Sequence, residues 1–174
     1  MESLEKTLRE QTQTLKEQYI QKTKEWANDS FNRHIERTTW NEVDWCKFFR
    51  LEPRPVNVGT SMEFLTFPNN FYNTKDSKTY RNMKTQSFRV KSMGLEEYIK
   101  REVKQAEIHY ESSIIKLTER IKKKGLVEEN LKVQTSHIGV NINTTISDGT
   151  KTVKAWTIIA EGEVQRPHYR YLVK

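Results

Sequence analysis

The stretch between residues 71 and 91 combines two side-chain types that are common in nucleic-acid-binding surfaces. It holds six cations, which are Lys75, Lys78, Arg81, Lys84, Arg89 and Lys91. It also holds four interleaved aromatic residues, which are Phe71, Tyr72, Tyr80 and Phe88. Cations contact phosphates, and aromatic rings stack on bases. The competing interpretation is a solvated loop whose aromatic rings hold it against neighbouring helices.

A second set of basic residues lies in the sequence QRPHYRY near the C-terminus. On an extended strand Arg166, His168 and Arg170 share one face. Two arginines beside a histidine can bind phosphate or carboxylate groups through their planar donor arrays. The pattern equally fits an edge strand, on which charge and Pro167 prevent association with another sheet. Both basic sets are therefore candidate nucleic-acid-binding or partner-binding residues.

Neither metal binding nor catalysis is favoured by the remaining polar residues. The histidines are His34, His109, His137 and His168. None has a second histidine, a cysteine or an aspartate two or four residues away, as zinc ligands commonly do. Glycine-rich phosphate loops do not occur in the sequence. Cys46 lies among aromatic residues, where a buried thiol is favoured over a nucleophile. We expect a non-enzymatic protein without a metal or cofactor.

The net charge of +7 is unevenly distributed along the chain. Residues 51–93 hold 7 basic against 3 acidic side chains, and residues 131–174 hold 6 against 3. In residues 1–50 and 94–130 the two signs cancel. An excess of positive charge favours anionic partners, including nucleic acid. The segments that carry both candidate sites therefore also carry the excess charge.

The composition predicts a small protein of the reducing cytoplasm. Apolar residues make up 34% and charged residues 30% of the 174 residues, which allows a thin core. No apolar run reaches the ~18 residues of a membrane span, and no secretory signal pattern follows Met1. The single cysteine cannot form an internal disulfide. We therefore expect no membrane association.

A long central helix is the clearest structural prediction. Between Gly94 and Gly125 the apolar residues recur at steps of three and four, at Ile99, Val103, Ala106, Tyr110, Ile114, Leu117 and Ile121. This spacing forms one helical stripe. Lysines at positions 122–124 and Gly125 are typical of a helix end. Because its charges cancel and its stripe is explained by packing, we interpret this helix as a scaffold.

Residues 2–37 have the pattern of another amphipathic helix. The apolar side chains on its face are Leu4, Leu8, Leu15, Tyr19 and Trp26. Gln11 and Lys22 interrupt this face, which makes a regular coiled coil unfavourable. We expect the first twenty residues to bury little surface and to project. The apolar face either packs antiparallel on the central helix or pairs with itself in a homodimer.

The segment between the two helices, residues 38–93, is predicted to contain a short helix followed by an irregular loop. Thr39 and Glu42 fit a capping box that opens a short helix. Its aromatic and apolar residues, Trp40, Val43, Trp45, Phe48 and Phe49, predict a core cluster rather than a docking surface. Residues 53–93 contain prolines and asparagines typical of turns, with one short strand at Met62–Phe67. The basic stretch is therefore expected to be a loop.

From Leu131 the apolar period changes to two, which indicates strands. Ile138, Ile142 and Ile146 belong to a first strand with one buried face. Asp148-Gly149 predicts a hairpin, and the return strand around Trp156 is apolar on both sides and expected to be central. A third strand is predicted after Gly162. The result is a three-stranded antiparallel β-meander.

These elements predict an α+β fold, with two long amphipathic helices and a short aromatic helix packed on the C-terminal meander. We expect a single domain over residues 1–174. Its expected parts are the N-terminal helix (1–37), the short helix and irregular basic loop (38–93), the central helix (94–125) and the β-meander (131–174).

The C-terminal half carries a resemblance to a known group of proteins. Residues 94–174 resemble a region of uncharacterised bacteriophage and prophage proteins. The sequences that carry the resemblance are AEIHYESSIIKLTERIKKKGL, the following DG and AWTIIAEGEVQRPHYRYLVK. The resemblance implies a bacterial host cytoplasm and assigns no activity. The leading hypothesis is a phage-type accessory protein that binds nucleic acid through the two basic sets. The alternative is a protein-interaction module, or an inhibitor of a host defence enzyme.

Overall fold

The computed structural model describes residues 2–57, 63–138 and 141–159. Its helices are α1 (Glu2–Gln11), α2 (Gln13–Thr38), α3 (Glu42–Phe49), α4 (Lys75–Met93) and α5 (Leu95–Lys124). Its strands are β1 (Arg54–Asn57), β2 (Glu63–Thr66), β3 (Lys132–Ile138), β4 (Asn141–Ser147) and β5 (Thr152–Ile159). Helices and an antiparallel three-stranded sheet confirm the α+β prediction. Among the described helices, none has the length and apolar character that crossing a membrane requires.

The chain divides into two compact units. Unit 1 contains the residues up to Asp29 and those from Ile99 onward, and unit 2 runs from Ser30 to Tyr98. Helices α2 and α5 each contribute residues to both units. The sheet of β3, β4 and β5 belongs to unit 1, whereas α3, α4 and the β1–β2 hairpin belong to unit 2.

In unit 1 the N-terminal helices pack against α5. Arg9 binds Glu111 at 2.8 Å, and the hydroxyls of Thr12 and Tyr110 are 2.7 Å apart. Residue numbers rise along one helix as they fall along the other, so the predicted antiparallel pair is confirmed. One buried cluster joins these helices to the sheet, through Leu4, Leu8, Leu15, Tyr19, Ala106, Tyr110, Ile114, Leu117, Ile121, Ile146, Val153, Ala155 and Trp156.

The expectation of a projecting N-terminus is wrong. Leu4 is 3% exposed and Leu8 is fully buried. Helical hydrogen bonding also continues through Thr12, whose N–H donates to Leu8 and whose carbonyl accepts from Lys16. The N-terminal helix is thus packed from its first turns. The apolar face that was considered for homodimerisation is already covered within the chain.

Threonines explain why the N-terminal stripe looked interrupted. Thr12 and Thr23 are fully buried, and Gln11 is exposed. Each threonine hydroxyl donates to the carbonyl four residues earlier, at 2.6 Å to Leu8 and 2.9 Å to Tyr19. This local bond satisfies the hydroxyl, so a threonine can occupy a core position of a helix.

The sheet of unit 1 is an antiparallel meander in the order β3-β4-β5. The predicted strand through Ile138 and Ile146 is corrected, because those residues lie on two paired strands, β3 and β4. Among the described strands β4 is central, whereas the sequence predicted that position for the return strand β5. The predicted hairpin at Asp148-Gly149 is confirmed, with Gly149 at φ 94°. The predicted strand after Gly162 lies outside the described residues.

Asp148 connects the hairpin to the chain that leaves α5. Its Oδ1 accepts from the backbone N–H groups of Thr150 and Lys151, at 2.8 and 2.7 Å. Its Oδ2 accepts from the N–H of Val127 at 2.8 Å. These backbone donors, led by Lys151, hold the pKa of the carboxyl well below its usual range. Asp148 is therefore a structural carboxylate whose acceptors are occupied.

In unit 2 the short helix α3 supplies an aromatic core. Trp45, Cys46, Phe67 and Phe71 are buried, and Trp40 and Phe49 pack against them, so the predicted core cluster is confirmed for Trp40, Trp45 and Phe49. Phe48 is instead 44% exposed. The predicted capping box is wrong in register, because the reciprocal bonds join Asn41 and Asp44. The predicted strand near Met62–Phe67 is confirmed as β2, which pairs with β1.

The expectation of an irregular basic loop is also wrong, because Lys75–Met93 forms the helix α4. Its inward positions are Ser77, Tyr80, Met83, Ser87 and Val90, at steps of three, three, four and three. Two of these positions are fully buried serines. A helical stripe that contains serine and tyrosine has weak apolar contrast, so its period is hidden in the sequence.

His34 is a buried polar residue of unit 2. Its Nδ1 lies 2.9 Å from Ser87 Oγ, and its ring meets the edge of Tyr98. Burial lowers the pKa of His34, and the nearby charges of Arg37 and Arg33 lower it further. The folded chain therefore favours the neutral imidazole.

Unit 2 is expected to lose stability in mild acid because of His34. Its pKa is depressed on folding, so the unfolded chain binds the proton more readily, and stability falls as pH drops below about 6.5. Thermal unfolding between pH 7.5 and 5 measures this loss. His34→Gln, which cannot titrate, is expected to flatten the pH dependence over this interval. His109→Gln on α5 is the control, and an equal flattening by both variants would contradict the assignment.

Candidate nucleic-acid interface

Helix α4 exposes all six of the cations predicted between residues 71 and 91. They are Lys75, Lys78, Arg81, Lys84, Arg89 and Lys91, and Asp76 is the one acidic residue of the helix. None of the six forms an ion pair with any residue that the structure describes. The outer surface of α4 therefore carries a positive charge that its surroundings leave uncompensated.

The spacing of the cations places them along the whole helix. At 3.6 residues per turn Lys75, Lys78 and Arg89 lie close to one line on the outer face. From Lys75 to Lys91 the helix rises about 24 Å, which is the length of roughly seven nucleotides in one strand of B-DNA. A single extended phosphate backbone can therefore contact several of these cations at once.

Two of the cations are held by contacts within α4. Arg81 donates from Nη2 to Ser77 Oγ at 3.3 Å. Lys84 donates from Nζ to the hydroxyl of Tyr80 at 3.3 Å and lies 5.5 Å from the centre of that ring. These neutral partners orient the side chains without cancelling their charge. Less rotamer freedom is therefore lost when these two cations contact an anion.

The four aromatic residues of this stretch divide into two pairs. Phe71 and Tyr80 face the aromatic core, where the ring of Phe71 stacks on Phe67 at 4.0 Å. Tyr72 and Phe88 are 61% and 43% exposed. The anchoring interpretation is thus correct for the first pair. The second pair presents exposed ring surface, and Phe88 is the member that lies on α4.

Phe88 lies among three of the cations on the surface of α4. Lys84 precedes it by four residues, Lys91 follows it by three, and Arg81 precedes it by seven. Residues at these separations are neighbours on one helical face. An exposed ring flanked by cations can stack on a base while the cations contact the adjoining phosphates.

The other predicted set, Arg166, His168 and Arg170, lies outside the described residues. The structure brings together the six cations of the first set on α4. Among the described residues, no three histidine, cysteine or acidic side chains converge as a metal site would require. Cys46 is fully buried, and burial followed by the charge of Glu42 raises the pKa of its thiol.

The structure also reveals a basic cluster that sequence reasoning missed. Arg120, Lys123 and Lys124 at the end of α5 meet Lys151 and Lys154 of the β4–β5 hairpin. In the sequence the three lysines after Ile121 indicate a helix end. Lys151 and Lys154 of the hairpin add positive charge to that of the helix end. Only the three-dimensional structure shows that the hairpin contacts the end of α5.

The fold and this surface define a small α+β protein with an exposed cationic helix. No protein-family model matches the chain, and neither the curated proteins nor the solved structures include a significant match.

Proposed function

We propose that this protein binds single-stranded nucleic acid through the outer face of α4. The observation that carries the proposal is the set of six exposed cations without ion pairs, with Phe88 exposed among them. In this account the cations contact backbone phosphates and Phe88 stacks on an unpaired base. Binding is non-enzymatic and has little base specificity, because these contacts do not read base edges.

Charge repulsion within α4 supports this proposal. Four cations follow one another at intervals of three residues, at Lys75, Lys78, Arg81 and Lys84, and form three like-charged neighbouring pairs. Each such pair destabilises a helix by roughly 0.2–0.5 kcal/mol. A solvated helix face usually alternates its charges, which removes this cost. An anionic ligand would convert the repulsion into binding energy by contacting several cations together.

The exposed ring favours single strands over duplexes. In a duplex the base faces are stacked on one another, so an aromatic side chain on a helix surface cannot reach them. A single strand offers free base faces and the same phosphate charge. The proposal therefore predicts tighter binding to a single-stranded oligonucleotide than to a duplex of equal length.

Phe88→Ala is expected to weaken binding to a single-stranded oligonucleotide by about tenfold, within the range measured for one base–aromatic stack. The salt dependence should stay unchanged, because no cation is removed. Fluorescence anisotropy with a labelled oligonucleotide measures both quantities. Phe48→Ala, which removes an equally exposed ring on α3, is the matched control. Unchanged affinity for Phe88→Ala, or an equal loss for Phe48→Ala, would contradict the stacking role.

The proposed setting is that of an accessory protein of a phage or prophage, acting in the host cytoplasm. It rests on the resemblance of residues 94–174 alone. Single-stranded nucleic acid arises there during replication and recombination, which fits the proposed ligand.

A protein-interaction role, including inhibition of a host enzyme, is the second candidate. Ile108 and Ile115 on α5 are 52% and 51% exposed and lie two turns apart on one face. An apolar pair of this kind can contact a protein partner. Affinity capture from bacterial lysate with and without nuclease separates the two roles. A partner that stays bound after nuclease treatment, and is lost with Ile108→Ser, would favour the protein partner.

A further inference from the structure

Unit 1 contains a basic pocket at the C-terminal end of α5. It has a volume of ≈ 420 Å³ and is lined by Arg120, Lys123, Lys124, Val153 and Lys154. Four of the five lining residues are therefore cationic. Its volume lies within the range of small-molecule sites, which is about 300–1,000 Å³.

Three cations at the pocket, Arg120, Lys124 and Lys151, contact carbonyl groups rather than carboxylates. Lys124 Nζ donates to the carbonyl of Thr152 at 2.7 Å, and Lys151 Nζ donates to the carbonyl of Lys124 at 3.2 Å. Arg120 Nη1 lies 3.5 Å from the carbonyl of Lys154. These contacts hold the helix end against the hairpin. They leave the positive charge in place.

Nearby acidic residues do not neutralise this charge. The two oxygens of Asp148 accept from backbone N–H groups of Val127, Thr150 and Lys151. Among the described residues, no carboxylate forms an ion pair with Arg120, Lys123 or Lys154. Cations gathered without counter-charge lower the stability of the folded chain.

Capping of the helix end explains only part of this arrangement. Gly125, at φ 73°, closes α5 with a left-handed residue, and its N–H bonds to Ile121. The dipole of a helix places about half a negative charge at this end, which one lysine balances. Lys151 already satisfies the exposed carbonyl of Lys124. The helix end does not require the additional positive charge of Arg120, Lys123 and Lys154.

We propose that the basic pocket binds a ligand carrying linked phosphate groups, as a site separate from the α4 surface. Lys123 and Lys154 carry ammonium groups without hydrogen bonds to any described residue, so they are the expected phosphate contacts. Arg120 adds a planar array of donors suited to phosphate oxygens. Lys124 and Lys151 hold the two walls of the pocket together. Linked phosphates occur in free polyphosphates and nucleotides, and in nucleic-acid strands.

The experiment uses the full chain with the α4 charges reversed by Lys75→Glu, Lys78→Glu and Arg89→Glu, which isolates the pocket from the proposed interface. Inorganic tripolyphosphate and a short single-stranded oligonucleotide are titrated separately by calorimetry at low salt. We expect binding of tripolyphosphate, and about tenfold or greater weakening when Lys123→Gln and Lys154→Gln are added, because each removes a charge-assisted contact. Lys104→Gln with Lys116→Gln, two exposed changes on α5, is the control and should bind normally.

The oligonucleotide arm identifies the source of the phosphates. Pocket-dependent binding of both ligands supports a nucleic-acid strand as the source, and binding of tripolyphosphate alone supports a small polyphosphate. The proposal would be overturned if neither ligand bound. It would also be overturned if the chain with reversed α4 charges bound equally well with and without Lys123→Gln and Lys154→Gln. These results are independent of the α4 account, which is tested by the effect of the α4 reversal itself. The melting temperature of the pocket variant is expected to equal or exceed that of its parent, because repulsion is relieved.

Discussion

Reversing three charges on α4 is expected to abolish most single-strand binding. Lys75→Glu, Lys78→Glu and Arg89→Glu together should weaken affinity for a single-stranded oligonucleotide by about a hundredfold or more, since each change removes one phosphate contact and adds a repulsion. The three side chains are exposed and form no hydrogen bond or ion pair with a described residue. Folding should therefore survive, and the circular dichroism spectrum should match that of the parent.

The matched control places the same charge change on α5. Lys100→Glu, Lys104→Glu and Lys116→Glu alter exposed residues of unit 1 and change the net charge equally. A general loss of positive charge lowers affinity modestly through long-range attraction, and salt screens this effect. At near-physiological salt the control should bind close to normally. If both triple variants lost affinity equally, net charge rather than α4 would explain binding.

Leu8→Ala is expected to lower the free energy of unfolding by about 2–5 kcal/mol, the usual cost of truncating a buried leucine. Leu8 is fully buried in the core that α1 and α2 share with α5 and the sheet. A projecting N-terminus would make the same substitution almost neutral. Chemical denaturation followed by circular dichroism measures the difference.

Ile115→Ala is the control for this measurement. Ile115 is 51% exposed on α5, so its truncation removes little buried surface and should change stability by less than about 1 kcal/mol. A loss for Leu8→Ala no larger than that for Ile115→Ala would contradict the packed N-terminus.

Regular apolar spacing made the long helices and the hairpin predictable from sequence. The stripe from Ala106 to Ile121 repeats without interruption, and the predicted helix Gly94–Gly125 agrees with the observed Leu95–Lys124 within one residue at each end. The N-terminal helix was also predicted, although its burial was underestimated. Thr12 and Thr23 carry its core stripe, and a buried threonine bonded to its own helix looks polar in a sequence.

Helix α4 could not be predicted for a related reason. Its inward face depends on Ser77 and Ser87, which are fully buried, and on Tyr80 against the aromatic core. Ser87 is satisfied by His34, 53 residues away, so tertiary contacts decide its burial. The types of the cations and aromatic residues are evident in the sequence. The arrangement of the six cations along one helix required the structure, because a loop has no fixed spacing.

The basic pocket illustrates a limit of local patterns. Arg120 and Lys154 are 34 residues apart and meet because the β4–β5 hairpin returns to the end of α5. The three lysines after Ile121 are a clear local signal with a sufficient local explanation. Long-range pairing alone shows that further cations join them.

The salt dependence of binding tests the α4 account most directly. For the parent protein and a labelled single-stranded oligonucleotide, the logarithm of the association constant should fall linearly with the logarithm of salt concentration. Four to six phosphate contacts predict a slope of about −3 to −4, and the α4 triple variant should lose about 2 from its magnitude. A parent slope near zero, a slope unchanged by the α4 substitutions, or no binding at low salt would contradict the account.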